Sequence, residues 1–322
     1  MTHAKARKEG AASAQVALAP LAEPPDVPAV LSHVVARQLD AFSTILPRVL
    51  TGDDPDDVHD LRVCTRRLQE TLAVLSSPSP SRAAERERRT LRRVRRALGS
   101  WRNLDVVLAK VGDRRRATRS AVKRAGWGLV RDTLAKRRVD ETLRARKRLV
   151  RESLGDFPAE VSALGARLLG DSSPSAAWQA VRERVEDAWN AWNDALSRAS
   201  ETPGLDTVHA LRIATKRLRY RVELARELDP QGAEPVLEWT RRLQKDLGDW
   251  HDRQVFRQLV AESLARPQVL LDHLPMARAV LDELEGGRRP APPDDSAPLA
   301  RIAAEEGRAA FETWLARARE RI

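Results

Sequence analysis

From Val30 onward apolar residues return at intervals of three and four, as in Val30, Val34, Leu39, Phe42, Ile45, Leu46 and Leu50. That spacing lines one face of an α-helix. No run of alternating β-branched residues appears, so strands are not expected. Breakers fall at Gly52-Asp53-Asp54-Pro55, Ser76-Ser77-Pro78-Ser79-Pro80, Gly99, 155–158, 170–174, Pro203-Gly204, 229–235, Gly248 and 286–293. Gly and Pro punctuate chains in this way, and the stretches between them are long enough for helices. The pattern predicts helices over 29–50, 56–76 and 82–98, then over 175–198, 206–228 and 233–247. One or two further helices follow Gly99 and Gly248. A Pro-rich loop over 288–297 precedes a last amphipathic helix ending at Ile322. Residues 1–28 are rich in Ala and Pro and poor in aromatics, which predicts a disordered tail.

The two runs of helices carry the same words. Residues 58–68 read V-H-D-L-R-V-C-T-R-R-L and residues 208–218 read V-H-A-L-R-I-A-T-K-R-L. Residues 98–107 read L-G-S-W-R-N-L-D-V-V and residues 247–256 read L-G-D-W-H-D-R-Q-V-F. His59 precedes Gly99 by 40 residues and His209 precedes Gly248 by 39. Two blocks at nearly equal spacing indicate an internal duplication. The halves are 29–170 and 174–322. The fold class expected is all-α, as two pseudo-symmetric four-helix bundles.

On a helix at 100° per residue, His59, Arg62, Arg66 and Gln69 share one arc, beside an arc of Leu61, Thr65, Leu68 and Leu72. The second copy puts His209, Arg212, Lys216 and Arg219 beside Leu211, Thr215, Leu218 and Val222. A cation next to a core stripe is partly desolvated and requires a counter-charge. Neither polar arc contains an acid, so the missing counter-charge is read as a ligand. Under the same alignment Arg92 pairs with Arg241, Arg96 with Lys245 and Arg102 with His251. Gly99 and Gly248 are expected to end helix three in a left-handed cap. Trp101 and Trp250 are read as packing anchors. Asn103 and Asp252 are read as N-caps of the next helix.

Charge sharpens this picture. The chain has a net charge of +11 and a pI near 10.6, which points to an anionic partner. Residues 82–148 hold 24 basic against 7 acidic side chains. Of 57 basic residues only 8 are Lys, and guanidinium forks suit phosphate oxygens. The single Cys64 excludes an intrachain disulfide and reads as a small packing residue, since the other copy has Ala214. No signal peptide or membrane span is expected, which predicts a cytoplasmic protein without membrane association. No cofactor or metal motif stands out. A nucleic-acid binder is a competing reading, although aromatics for stacking make up only 4% of the chain. A metal phosphohydrolase is a third. It rests on His59-Asp60 and His251-Asp252, but each dipeptide has a different counterpart in the other copy.

The doubled H-x-L-R-[VI]-x-x-[RK]-R-L pattern, each copy followed by L-G-x-x-[RH]-[DN], resembles the signature of the CHAD family, the conserved histidine α-helical domain. The resemblance covers about residues 29–322. It implies two four-helix bundles around a basic cavity that binds inorganic polyphosphate, with association with polyphosphate granules and without catalysis. Nucleic acid would be a weaker partner. Carried over by position, the ligand set is His59, Arg62, Arg66 and Arg102 with His209, Arg212, Lys216, Arg219 and His251. The basic pairs Arg92, Arg96, Arg241 and Lys245 complete the candidate site. Gln69 departs from the pattern where the second copy has Arg219, which predicts a weaker hold in the first half.

Overall fold

The computed structural model describes residues 26–77, 81–170, 172–286 and 296–320. Of the tail expected over 1–28, residues 1–25 lie outside the described residues, as does most of the Pro-rich loop, whereas Val27 and Pro28 already belong to the first helix, capped by Asp26. The described residues form helices and no strand, so the chain is all-α. The helices are α1 (Val27–Thr51), α2 (Pro55–Leu75), α3 (Arg82–Ala97), α4 (Gly99–Ala117), α5 (Ala121–Arg151), α6 (Phe157–Gly170), α7 (Pro174–Glu201), α8 (Leu205–Leu228), α9 (Pro230–Leu264), α10 (Pro267–Asp272), α11 (Leu274–Gly286) and α12 (Ser296–Glu320).

Local chemistry starts these helices where the sequence suggests. Asp54 accepts from the Asp56 N–H at 2.9 Å, with Pro55 in the first turn of α2. Ser173 accepts from the Ala176 N–H at 3.2 Å, with Pro174 opening α7. A side-chain oxygen at the N-cap satisfies a donor the helix cannot, and proline there lacks only an N–H that would go unpaired.

The arcs drawn from the repeats set the packing. Leu61, Thr65, Leu68 and Leu72 are all buried, and so are Leu211, Thr215, Leu218 and Val222. They join one large core with α1, α3, α6, α7, α9 and α12. Burial of this kind contributes roughly 25 cal/mol per Å² of apolar surface. In α7, α9 and α12 the core is aromatic. Trp189 stacks on Phe311 at 4.1 Å and lies 5.2 Å from Trp192. Gly307 seats α12 against Trp239 so closely that a Cβ would lie 2.0 Å from the indole.

Apolar residues are shared out across the halves, not bundle by bundle. A second core joins Leu104 and Val107 of α4, Trp127 of α5, Phe256 and Val260 of α9 and Val280 of α11. It forms because α4 and the end of α9 leave the first core together and are covered by α5 and α11.

The two glycine elements differ from expectation. No glycine among the described residues has a positive φ. The break after α3 falls at Leu98, with φ −83° and ψ −5°, a right-handed conformation that needs no glycine. Gly248 lies inside α9, which runs unbroken for 35 residues. Glycine costs about 1 kcal/mol in a helix interior, less than tertiary packing returns along a helix of that length. Asn103 and Asp252 consequently sit within helices and are not N-caps.

Candidate functional site, a cationic cluster between two helices

α2 and α8 pack on each other and bring the two polar arcs together. The Lys216 ammonium feels the charges of Arg62 and Arg66 from the first half and of Arg212 from its own helix. His59 feels Lys216 as well as Arg62 and Arg102. Arg62 feels Arg102 and Arg212. On the other side the His209 and His251 rings lie 5.3 Å apart. So His59, Arg62, Arg66 and Arg102 meet Arg212, Lys216, His209 and His251 in one cluster, contributed by α2, α4, α8 and α9.

The cluster is deficient in negative charge. Burial pushes Lys216 down to about 7, with Arg212, Arg62 and Arg66 adding to it and Asp252 opposing. Burial, then Arg212 and His209, hold His251 at about 4. His59 and His209 are lowered by burial and neighbouring cations, and Arg62 and Arg212 are lowered chiefly by burial. Desolvation and like charges both disfavour the protonated form of a base. His59, His209 and His251 are therefore neutral near pH 7 in the free protein. The buried Nε of Arg212, and Nε and Nη2 of Arg66, have no hydrogen-bond partner among the described residues. Buried donors of this sort are rare in native proteins and invite an acceptor.

A counter-charge missing from the arcs stands just beside one of them. Glu70, one turn beyond Arg66, lies 3.5 Å from the Arg66 Nε, and its other oxygen is 3.1 Å from Arg221 Nε of α8. Glu223 likewise takes Arg219 at 2.8 Å, together with Arg67 of α2 at 3.1 Å. Arg66 and Arg219 thus have protein partners, which the spacing of the arcs did not reveal.

Arg95 belongs with the cluster and was missed by the motif. It is pushed down to about 10 by burial and by Arg66 and Arg62, and its backbone carbonyl accepts from Arg62 Nη1 at 2.8 Å. Its Nη1 donates to Gln69 Oε1 at 2.6 Å, whereas Arg219 Nη1 donates to Gln244 Oε1 at 2.9 Å. Gln69 matches Arg219 at an offset of 150, and Arg95 matches Gln244 at 149. The guanidinium has changed helices while the pair is kept. Aligning α3 on the start of α9 at that offset was the signal that could have found it.

The outer candidates stand differently. Arg92 donates to Glu85 at 2.6 Å and Arg241 to Glu234 at 2.7 Å, the same i, i+7 pair in both halves. Arg96 and Lys245 are exposed, without a carboxylate partner among the described residues. Trp101 is fully buried, under the guanidiniums of Arg138 and Arg146 at 5.8 and 5.3 Å. Trp250 is partly buried against the large core. Cys64 is buried, its thiol donating to the Gln38 carbonyl at 3.3 Å and raised to about 12 by burial, as suits a packing residue. A cavity of about 680 Å³ opens beside the cluster between α1, α2 and α8. Its cations are matched by acids, Arg37 with Glu227 and Arg67 and Arg219 with Glu223. It lacks the charge deficit that marks the α2–α8 cluster. Among the described residues no three His, Cys, Asp or Glu side chains converge as metal ligands, and no helix is long and apolar enough to cross a membrane.

The CHAD domain family model matches residues 33–261 of the chain. No curated relative matches it. Among solved structures it is similar to the crystal structure of the CHAD domain from the plant Ricinus communis, with a TM-score of 0.64 and 21% identity over 87% of this chain and 93% of that one. It is also similar to PptA from Streptomyces chartreusis, with a TM-score of 0.53 and 16% identity over 88% of this chain and 99% of that one. At these identities the likeness is one of fold.

Proposed function

The chain belongs to the CHAD domain family, and from that premise we propose that it is a non-catalytic module binding inorganic polyphosphate in a basic cavity between α2 and α8. One observation carries the reading: cations from both halves converge without enough carboxylates to neutralise them. Arg62 and Arg212 present forks suited to paired phosphate oxygens, and the buried Nη2 of Arg66 and Nε of Arg212, which make no hydrogen bond among the described residues, are donors for an acceptor. Neutral histidines at His59, His209 and His251 add donors that gain charge when an anion arrives. Arg102 and Arg95 extend the cationic wall, and Arg219 closes its edge. Arg92, Arg96, Arg241 and Lys245 supply a more distant field that steers a polyanion inward. In the cell the protein would be cytoplasmic and concentrate on polyphosphate granules.

General nucleic-acid binding is the second reading, favoured by the surplus of 17 positive charges over residues 82–148. Titration with polyphosphate at several salt concentrations, with duplex DNA and RNA as competitors, separates the two. Counterion release makes affinity fall steeply with salt when many phosphates are contacted. The proposal expects that fall and poor competition by nucleic acids, since a narrow cavity admits a bare phosphate chain before a duplex. A flat salt response contradicts the clamp, and equal affinity for RNA favours the second reading.

A further inference from the structure

Cations continue along α4 past the cluster. Lys110 and Arg114 follow Arg102 by about 12 and 18 Å along the helix axis, at 1.5 Å per residue. There α4, α9 and α11 enclose an open cavity of about 630 Å³, a size typical of small-molecule sites. Its floor is apolar, made by Phe256 of α9 and Leu284 of α11, which belong to the second core. Lys110 and Arg114 stand on one side of that floor, and Arg253 and Arg257 of α9 on the other.

The acids that line this cavity are already engaged. Glu283 takes Arg114 at 3.4 Å and also Lys123, from outside the cavity, at 3.8 Å. Asp113 takes Arg116 at 2.6 Å. Lys110 reaches a carboxylate only at 3.9 Å, on Asp252. Arg253 and Arg257 have no carboxylate partner among the described residues. They sit one turn apart on the same face of α9, where like charges destabilise a helix and an anion between them would relieve the repulsion. None of these four cations belongs to the doubled motif. At an offset of 149, Lys110 and Arg114 match Leu259 and Ser263, and Arg253 and Arg257 match Leu104 and Leu108. The cavity therefore has no counterpart in the other half, and its charge does not follow from the duplication that built the α2–α8 cluster.

We propose that this cavity is a second, separate anion site that takes a small phosphate ester, its phosphates between Arg253, Arg257 and Lys110 and its organic part over Phe256 and Leu284. A guanidinium fork takes paired phosphate oxygens, and its flat face stacks on an aromatic ring, so a nucleotide is the fitting class of ester. Asp252 keeps the two anion sites apart. It lies 3.9 Å from Lys110, and its charge also reaches Arg212 and Lys216 of the cluster. A carboxylate at that junction repels a phosphate chain passing from one site to the other. The ester site does not depend on polyphosphate binding.

ADP and pyrophosphate are the probes, the same diphosphate with and without an organic part. Each is titrated calorimetrically into the full chain, into Arg253→Gln/Arg257→Gln and into Arg62→Gln/Arg212→Gln. Wild type should bind ADP more tightly than pyrophosphate. The cavity variant should lose on the order of ten-fold in ADP affinity, as expected for two exposed charge contacts, and keep its polyphosphate affinity. The cluster variant should keep its ADP affinity. Arg253 and Arg257 are exposed, so their replacement leaves both cores intact. Absence of ADP binding, or ADP binding unchanged in the cavity variant, overturns the proposal. Equal affinity for pyrophosphate also overturns it, since the apolar floor would then have no role. So does a matching loss of polyphosphate affinity in the cavity variant, because the cavity would then be part of the polymer's path. Polyphosphate titration of the cluster variant reports separately on the reading above, so the two can fail independently.

Discussion

α2 and α8 present the same run of side chains to each other, His59-Arg62-Arg66 and His209-Arg212-Lys216, on different supports. Behind α2 stands a carboxylate. Glu70 has 5% of its side chain exposed and is shared between Arg66 and Arg221, which ties the first half to the second. Behind α8 stands Tyr220, and the carboxylate has moved one turn on to Glu223. The arginine has also moved, from the Arg219 position on α8 to Arg95 on α3, with glutamine filling the place left in each half. The difference teaches that charge is held by pairs of positions and not by single ones. It also teaches that one lysine without a carboxylate behind it becomes the most easily discharged cation of the site.

The largest effect expected from this asymmetry is on stability. Glu70→Gln leaves the half-buried guanidinium of Arg66 and the buried one of Arg221 without their carboxylate, and such a loss costs about 3 kcal/mol. Glu223→Gln, whose partners Arg67 and Arg219 are more exposed, should cost nearer 1 kcal/mol. Urea denaturation of the two variants reads the difference directly. Equal costs would remove the distinction between the two supports.

The exchanged pair comes next. Arg95→Gln should weaken polyphosphate binding by about 1.5–3 kcal/mol, the range for a hydrogen bond to a charged group. Adding Gln69→Arg gives the first half the arrangement of the second and should recover most of the loss. A double variant as weak as the single one would show that the position matters and the pair does not.

The smallest effect is on pH dependence. Lys216 titrates near 7 in the folded chain and near 10.4 when unfolded, so between those values the unfolded chain binds the extra proton. The free protein should therefore gain stability as pH rises through that window, by up to about 1.4 kcal/mol per pH unit from this group. A bound polyanion restores the proton. Polyphosphate affinity should fall from pH 7 to 9, by at most about ten-fold per unit, and Lys216→Arg should flatten the slope. His59, His209 and His251, all lowered, contribute only on the acid side of this window. A slope unchanged in Lys216→Arg would assign the proton elsewhere.

Most of this was legible in the chain. Breakers and three-four periodicity located α1, α2, α3, α7 and α8 within a few residues, because capping chemistry and burial act over short stretches. The repeated arcs identified which cations gather. Gly248 misled, because a glycine ends a helix only if packing allows, and α9 continues over it. Glu70 directly follows the last residue of the first arc and Glu223 lies one turn past the second, and their partners Arg221 and Arg67 come from the opposite helix, a contact no local spacing encodes. Arg95 was hidden for the same reason: its role is visible only once α3 lies against α2. The grouping of the cores depends on long-range packing of α5 and α11, which have no counterpart in the repeated words.

The central claim is that cations of both halves serve one polyanion site. Polyphosphate affinity of Arg62→Gln, Arg212→Gln and the double variant, measured by calorimetric titration at fixed salt, tests it most directly. Residues sharing one ligand couple by about 0.5–3 kcal/mol, whereas independent sites add. A shared site gives a single class of binding in the wild type, weakened by either substitution, with a double loss that departs from the sum. Two classes of site, or an Arg62→Gln variant that binds like wild type, would contradict it.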